Sequence, residues 1–355
     1  MKSILINGTG SFIPEKIVSN EQFLNNHFFN ADGSKIPNSN EVIIRKFKDI
    51  TGIENRRYAA DNELSSDLAL KASLIAIEES GIDKENLDGI IMAHNFGDIP
   101  LNSIQTDVLP SLASRVKHHL GIKNPECFAF DILFGCPGWV QGVILAKQYI
   151  LAGGGKHYLV IGSETLSRVV DAFDRDSMIF ADGAAAAVIS EVETADKKGI
   201  LATACRSFTE HEAYFLHYDE SNNKDLNTGT RYIKMEGRKI YEFALIQVPA
   251  AMKACLDKSG VDISDLKKVF IHQANEKMDE AIIHRFYELY GKKAPENIMP
   301  MSIHELGNSS VATVPTLIDL VLKGHKTGHQ INEGDVVLLA SVGAGMNVNA
   351  IVYKF

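Results

Sequence analysis

Three residues stand at turning points of the chain with side chains that could do chemistry: Cys136, His272 and Asn308. Cys136 lies in Phe128-Ala129-Phe130-Asp131-Ile132-Leu133-Phe134-Gly135-Cys136-Pro137-Gly138-Trp139, where an apolar strand pattern turns into an apolar helix pattern. A helix N-terminus offers unpaired N–H groups and a positive dipole end; both favour a thiolate, which is the nucleophilic form of cysteine. Gly135 permits a tight turn, and Pro137 suits a first helical position because its missing N–H has no partner there. His272, in Val269-Phe270-Ile271-His272-Gln273-Ala274-Asn275, closes a buried strand, and ligands of open α/β sheets bind at strand C-termini. Asn308, in Glu305-Leu306-Gly307-Asn308-Ser309-Ser310, precedes an apolar helix. Taken singly, each has a structural alternative: a buried cysteine, a core histidine with both nitrogens satisfied, a helix N-cap.

The elements that must position these residues are written twice. Ser80, Gly81, Asp83 and Leu87 recur as Ser259, Gly260, Asp262 and Leu266, each 179 residues on, close to half of the 355-residue chain. The same spacing relates Tyr158-Leu159-Val160-Ile161-Gly162-Ser163 to Val337-Leu338-Leu339-Ala340-Ser341-Val342. In both copies a helix closes on a glycine and leads into a buried strand. Apolar runs such as Gly89 to Ala93, His157 to Ile161 and Val336 to Ala340 predict sheets covered on both faces, and Val140 to Ala152 predicts a central helix. The expected organisation is α/β, with halves 1–195 and 196–355 meeting at the charged stretch Ser190 to Gly199.

Composition sets limits. Hydrophobic residues make up 45% and charged residues 23%, as in globular proteins, and the net charge of −9 argues against nucleic-acid binding. No apolar run approaches a membrane-spanning length, and the N-terminus reads as a first strand, so a cytoplasmic location is expected. Cys127, Cys136, Cys205 and Cys255 form no Cys-x-x-Cys pair or zinc-ligand pattern; Cys127, Cys205 and Cys255 are expected in the core. Gly8-Thr9-Gly10 lacks the third glycine of a dinucleotide loop. No metal or redox cofactor is expected.

Taken together, the motifs resemble those of the thiolase-like condensing enzymes, and most closely β-ketoacyl-acyl-carrier-protein synthase III. The resemblance rests on Cys136 in its strand–helix setting, Ile271-His272-Gln273-Ala274-Asn275, Gly307-Asn308-Ser309-Ser310 and Val342-Gly343-Ala344-Gly345-Met346. Thr51-Gly52-Ile53, Ala181-Asp182-Gly183-Ala184 and Lys234-Met235-Glu236-Gly237 extend it over nearly the whole chain. It implies two duplicated βαβαβαββ halves in an αβαβα sandwich, agreeing with the repeat. It also implies a homodimer whose substrates are acyl-CoA or acyl-carrier-protein thioesters. Cys136 would accept an acyl group. His272 and Asn308 would stabilise the charge that develops as a malonyl thioester loses CO2. Backbone N–H groups of Cys136 and of Ala344 or Gly345 would hold the second oxyanion. By the same resemblance Lys277, Lys268 and Arg285 would help dock an acyl carrier protein, and Leu109 would line a partner's acyl pocket. The chain also departs from its relatives: Lys46 and Ile50 replace the aromatic and arginine residues that sandwich adenine, Glu242 replaces a lysine, and Cys-Pro-Gly-Trp replaces Cys-Ala-Gly-Phe. Competing readings are a condensing enzyme that joins an acyl chain to a β-ketoacyl thioester, a cysteine hydrolase, and a non-catalytic partner subunit.

Overall fold

The computed structural model describes residues 1–355 except Asn227. The strands are β1 (Lys2–Phe12), β2 (Lys16–Ser19), β3 (Asn55–Tyr58), β4 (Gly89–Ala93), β5 (Phe128–Ile132), β6 (His157–Thr165), β7 (Asp182–Glu193), β8 (Gly199–Ser207), β9 (Leu216–Glu220), β10 (Arg231–Met235), β11 (Leu266–Ile271), β12 (Val336–Gly343) and β13 (Asn347–Lys354). The helices are α1 (Asn40–Thr51), α2 (Ser65–Ser80), α3 (Leu112–Leu120), α4 (Gly138–Leu151), α5 (Gly237–Ser259), α6 (Glu276–Glu288), α7 (Ile303–Leu306) and α8 (Thr313–Leu322).

Two mixed sheets carry the architecture, with strand orders β1-β7-β6-β4-β5 and β11-β12-β13-β8. Between them lie α4 and α8, packed on Ile91, Val160 and Ile189 of one sheet and Phe270, Leu339 and Ile351 of the other. Helices α2 and α3 cover the outer face of the first sheet, and α5 and α6 that of the second. The result is the expected five-layer αβαβα sandwich. Helix α4 earns its central place through its residues: Trp139 is 1% exposed and donates Nε1–H to the Val160 carbonyl at 3.2 Å. An indole in that setting needs such a partner.

The duplication is visible as repeated hydrogen bonds. Ser80 Oγ donates to Ile77 O and accepts from Ile82 N; Ser259 Oγ donates to Leu256 O and accepts from Val261 N. Gly81 and Gly260 close α2 and α5 in the left-handed region, at φ of 67° and 76°. Asp83 and Asp262 then cap the next turn by accepting from Glu85 N and Ser264 N. The strands that follow, β4 and β11, occupy matching sheet positions.

The copies are unequal. The second sheet has four strands where five were expected. In the place corresponding to β5, the Ile298 carbonyl accepts from Val269 N–H at 2.9 Å without a strand being formed. Cys205 also departs from expectation: it lies on the edge strand β8 and is exposed, whereas Cys127 and Cys255 are buried. No helix among the described residues is long and apolar enough to cross a membrane.

Candidate active site

Cys136 sits in a turn just ahead of α4. Gly138 N–H donates to Gly135 O at 3.0 Å and Gln141 N–H to Pro137 O at 2.9 Å, so Pro137 stands at the N-cap, one position earlier than expected. The turn is interlocked with the β12–β13 corner. A Cβ on Gly135, whose φ is +64°, would lie 2.6 Å from Ala344 N; one on Gly343 would lie 2.4 Å from Cys136 N. Neither position has room for a side chain, and that close approach brings the end of the second sheet against the Cys136 turn. Burial pushes the Cys136 thiol up to about 11, partly offset by the Ser310 hydroxyl, which donates to Sγ at 3.3 Å. The helix-start argument alone predicted a favoured thiolate; in the free enzyme desolvation outweighs it.

His272 follows β11 directly and extends its pairing, donating N–H to Ala340 O at 2.9 Å. The residue is 3% exposed, and Nδ1 is buried without a hydrogen-bond partner among the described residues. Nε2 is therefore the ring nitrogen that can reach a substrate. Burial lowers His272 to about 4, so the imidazole is neutral at physiological pH. Asn308 is fixed by its backbone, whose N–H donates to Ile179 O at 3.0 Å and whose carbonyl accepts from Ala181 N at 2.8 Å. Its Oδ1 accepts from Ser310 N–H at 2.7 Å. That bond requires an acceptor and so sets the amide's orientation, leaving the NH2 end as the free donor.

Cys136, His272 and Asn308 line one cavity of about 370 Å3, bounded mainly by apolar residues including Phe96, Leu166, Phe180, Leu216, Ile233 and Met235. Ala344 lines it, and Gly345 does not. A second groove of about 370 Å3 shares Ile179 and Met235 with the first and is lined by Lys46, Phe47, Ile50, Arg175 and Tyr241. No cluster of three or more His, Cys, Asp or Glu residues suited to a metal ion occurs among the described residues.

Other sequence-predicted residues lie apart from this cavity. Lys277 and Arg285 are exposed on α6. Lys268 is not available for docking: it is 6% exposed on β11, with Nζ donating to Asn297 O at 2.6 Å, while its neighbour Lys267 faces solvent. Leu109 is 87% exposed and does not line this chain's own cavity. Arg56 is fully buried; it donates to Val18 O and Asn20 Oδ1 and lies 4.9 Å from the Phe23 ring centroid. Sequence reasoning missed Asn95, Glu164 and Ser310. Ser310 lay within the Gly-Asn-Ser-Ser motif, and its φ of +53°, unusual outside glycine, marks it in the structure.

Known proteins resemble this chain over nearly its whole length. The family described as 3-oxoacyl-[acyl-carrier-protein] synthase III matches residues 130–208, and its C-terminal counterpart matches 256–355. The chain is 33% identical over 340 residues to β-ketoacyl-[acyl-carrier-protein] synthase III 1 of Halalkalibacterium halodurans, covering 96% of this chain and 94% of that protein. It is 33% identical over 348 residues to the synthase III of Ehrlichia canis, covering 98% and 97%. Among solved structures, 3-oxoacyl-[acyl-carrier-protein] synthase III of Aquifex aeolicus superposes with a TM-score of 0.80 at 29% identity over 100% of both chains. OleA of Xanthomonas campestris shares the fold, with a TM-score of 0.77 at 19% identity over 99% and 97%. The chain is thus a condensing acyltransferase of thiolase-like fold, and it belongs to the β-ketoacyl-acyl-carrier-protein synthase III family.

Proposed function

We propose that the chain catalyses decarboxylative Claisen condensation of an acyl thioester with malonyl-acyl-carrier-protein, the initiating step of fatty acid synthesis. The observation that carries this reading is the convergence of Cys136, from residues 1–195, with His272 and Asn308, from residues 196–355, on one apolar cavity. Cys136 attacks the donor thioester carbonyl and expels the carrier thiol, forming acyl-Cys136. In the second stage the malonyl thioester places its carbonyl oxygen against His272 Nε2–H and Asn308 Nδ2–H. CO2 leaves, and the electron pair of the broken C–C bond becomes the enolate that those two donors stabilise. The enolate carbon attacks acyl-Cys136. The resulting oxyanion is held by the N–H groups of Cys136 and Ala344, and its collapse releases the β-ketoacyl thioester and returns the Cys136 sulfur. The apolar wall excludes water, which would otherwise hydrolyse the acyl-enzyme or protonate the enolate.

The shared boundary of the two cavities supports entry of a thioester arm past Lys46 and Arg175, two cations suited to a phosphate. Lys277 and Arg285 supply exposed positive charge on α6 for an acidic carrier protein. Leu109, like Leu101, Ile104 and Val108 near it in sequence, is an exposed apolar side chain suited to burial against a second copy of the chain.

The test is intact-mass analysis after incubation with a panel of acyl-CoA and acyl-carrier-protein donors, followed by malonyl-acyl-carrier-protein. The expected result is one acyl adduct, mapped to Cys136 and absent from Cys136→Ala, that is discharged as a β-ketoacyl thioester. Wild-type condensation by Cys136→Ala, or discharge only as free acid, overturns the proposal.

A further inference from the structure

The hydrogen bonds behind Cys136 form a chain with a definite direction. The Asn95 side-chain amide donates to Glu164 Oε1 at 2.5 Å and to Ser310 Oγ at 3.2 Å, which uses both of its hydrogens. The Asn95 backbone N–H also donates to Glu164 Oε1, at 2.8 Å. Because Ser310 Oγ already accepts from Asn95, its own proton is directed to the remaining neighbour, Cys136 Sγ, at 3.3 Å. A serine hydroxyl usually rotates to suit its surroundings; here the rotor is set from behind. Glu164 is 1% exposed on β6. Burial raises it to about 8, yet the chain keeps its sense in either protonation state, since both Asn95 donors meet Oε1 and a proton can reside on Oε2.

Ser310 also acts through its backbone, donating N–H to Asn308 Oδ1 at 2.7 Å. One residue therefore orients both the nucleophile and the amide donor. It does so at φ of +53°, a conformation that costs energy for a non-glycine residue and persists where surrounding contacts impose it.

We propose that Ser310 is a positioning residue of the condensation site: its hydroxyl, locked by Asn95 and Glu164, steadies the Cys136 sulfur and favours its anionic form, while its backbone turns Asn308 toward the substrate. This rests on the reading of Cys136 as the nucleophile. A donor aimed at sulfur counteracts the desolvation that disfavours the thiolate, and the same donor stabilises the sulfur when the finished product departs.

The experiment is alkylation of the intact enzyme by iodoacetamide from pH 6 to 10, followed at the Cys136 peptide by mass spectrometry, with exposed Cys205 as internal reference. The other titratable groups that line or border the cavity are Glu164, His217, Tyr218 and His272. All are retained in the variants Ser310→Ala, Ser310→Gly and Asn95→Ala. Glycine accepts the positive φ without strain, so Ser310→Gly separates loss of the hydroxyl from loss of the fold. The expected result is an alkylation rate at Cys136 about tenfold lower in both Ser310 variants throughout this range, which lies below the thiol midpoint, a smaller decrease in Asn95→Ala, and no change at Cys205. Wild-type alkylation rates at Cys136 in both Ser310 variants overturn the proposal, even if condensation is impaired. Alkylation is read without any acyl donor, so a failure of acyl transfer in the wild type counts against the condensing reading alone.

Discussion

Two histidines follow matching strands of the two halves and meet opposite fates. His94, after β4, is 2% exposed, and both ring nitrogens are engaged: Nε2 with Asp131 Oδ2 at 2.9 Å, and Nδ1 accepting from Gly97 N–H at 3.0 Å. His272, after β11, is 3% exposed, lines the cavity and leaves Nδ1 without a partner among the described residues. Residue type, position in the fold and burial are nearly the same. The difference is satisfaction: one histidine spends its hydrogen bonds holding loops together, and the other lines the cavity with neither ring nitrogen hydrogen-bonded among the described residues.

The largest expected effects come from exchanging these roles by mutation. His272→Ala should lower condensation about 100- to 1,000-fold, as loss of one oxyanion donor does, with stability within about 1 kcal/mol of wild type. His94→Ala should do the reverse. It leaves Gly97 N–H and Asp131 short of a partner and should cost about 2–4 kcal/mol in chemical denaturation, with the activity of the folded fraction much less affected. Equal loss of stability in the two variants would break the comparison.

Carboxylates repeat the contrast. Asp131 accepts from Leu112 N and Ala113 N, at 2.7 and 2.8 Å, as well as contacting His94. Asp279, fully buried in α6, has no partner for either carboxyl oxygen among the described residues. Asp131→Ala should destabilise by about 2–3 kcal/mol, and Asp279→Ala should stabilise by about 1–3 kcal/mol at pH 8. Burial holds the Asp279 carboxyl well above the usual range, so the folded state keeps a proton that the unfolded chain releases above pH about 4. Stability from this group therefore falls as pH rises, and the gain in Asp279→Ala should grow from pH 4 to pH 8 in thermal melts. A gain that shrinks over that range would contradict the assignment.

A spectroscopic check concerns the free enzyme: with His272 lowered to about 4, its ring NMR signals should not titrate between pH 5.5 and 8. The smallest effects test the duplication. Gly81 and Gly260 close equivalent helices in open surroundings, so Gly81→Ala and Gly260→Ala should each cost about 1 kcal/mol. Markedly unequal costs would show that the repeated caps carry different loads.

The legible parts of the molecule were those with local signals. Serine-glycine-aspartate caps are read within a few residues, so the repeat followed from sequence, while the sandwich was implied by the family resemblance that the motifs carry. Cys136, His272 and Asn308 could be named because each sits in a short motif at an element boundary. The contacts behind them were not legible: Glu164 lies 69 residues from Asn95, and Ser310 lies 174 from Cys136. Lys268 read as surface because a charged residue normally faces water. On β11 its ammonium instead reaches the Asn297 carbonyl, which lies where the missing fifth strand would run. Cys205 read as core because its neighbours are apolar, but an edge strand leaves one side open.

The central claim is that the first half holds the acyl group while the unpartnered histidine of the second drives decarboxylation. A single-turnover experiment tests it most directly: acyl-Cys136 enzyme is prepared from wild type and from His272→Ala, mixed with malonyl-acyl-carrier-protein, and followed by intact mass and CO2 release. The account predicts that both proteins carry the acyl group and that only wild type discharges it rapidly, with one CO2 per β-ketoacyl product. Discharge by His272→Ala at the wild-type rate would contradict it.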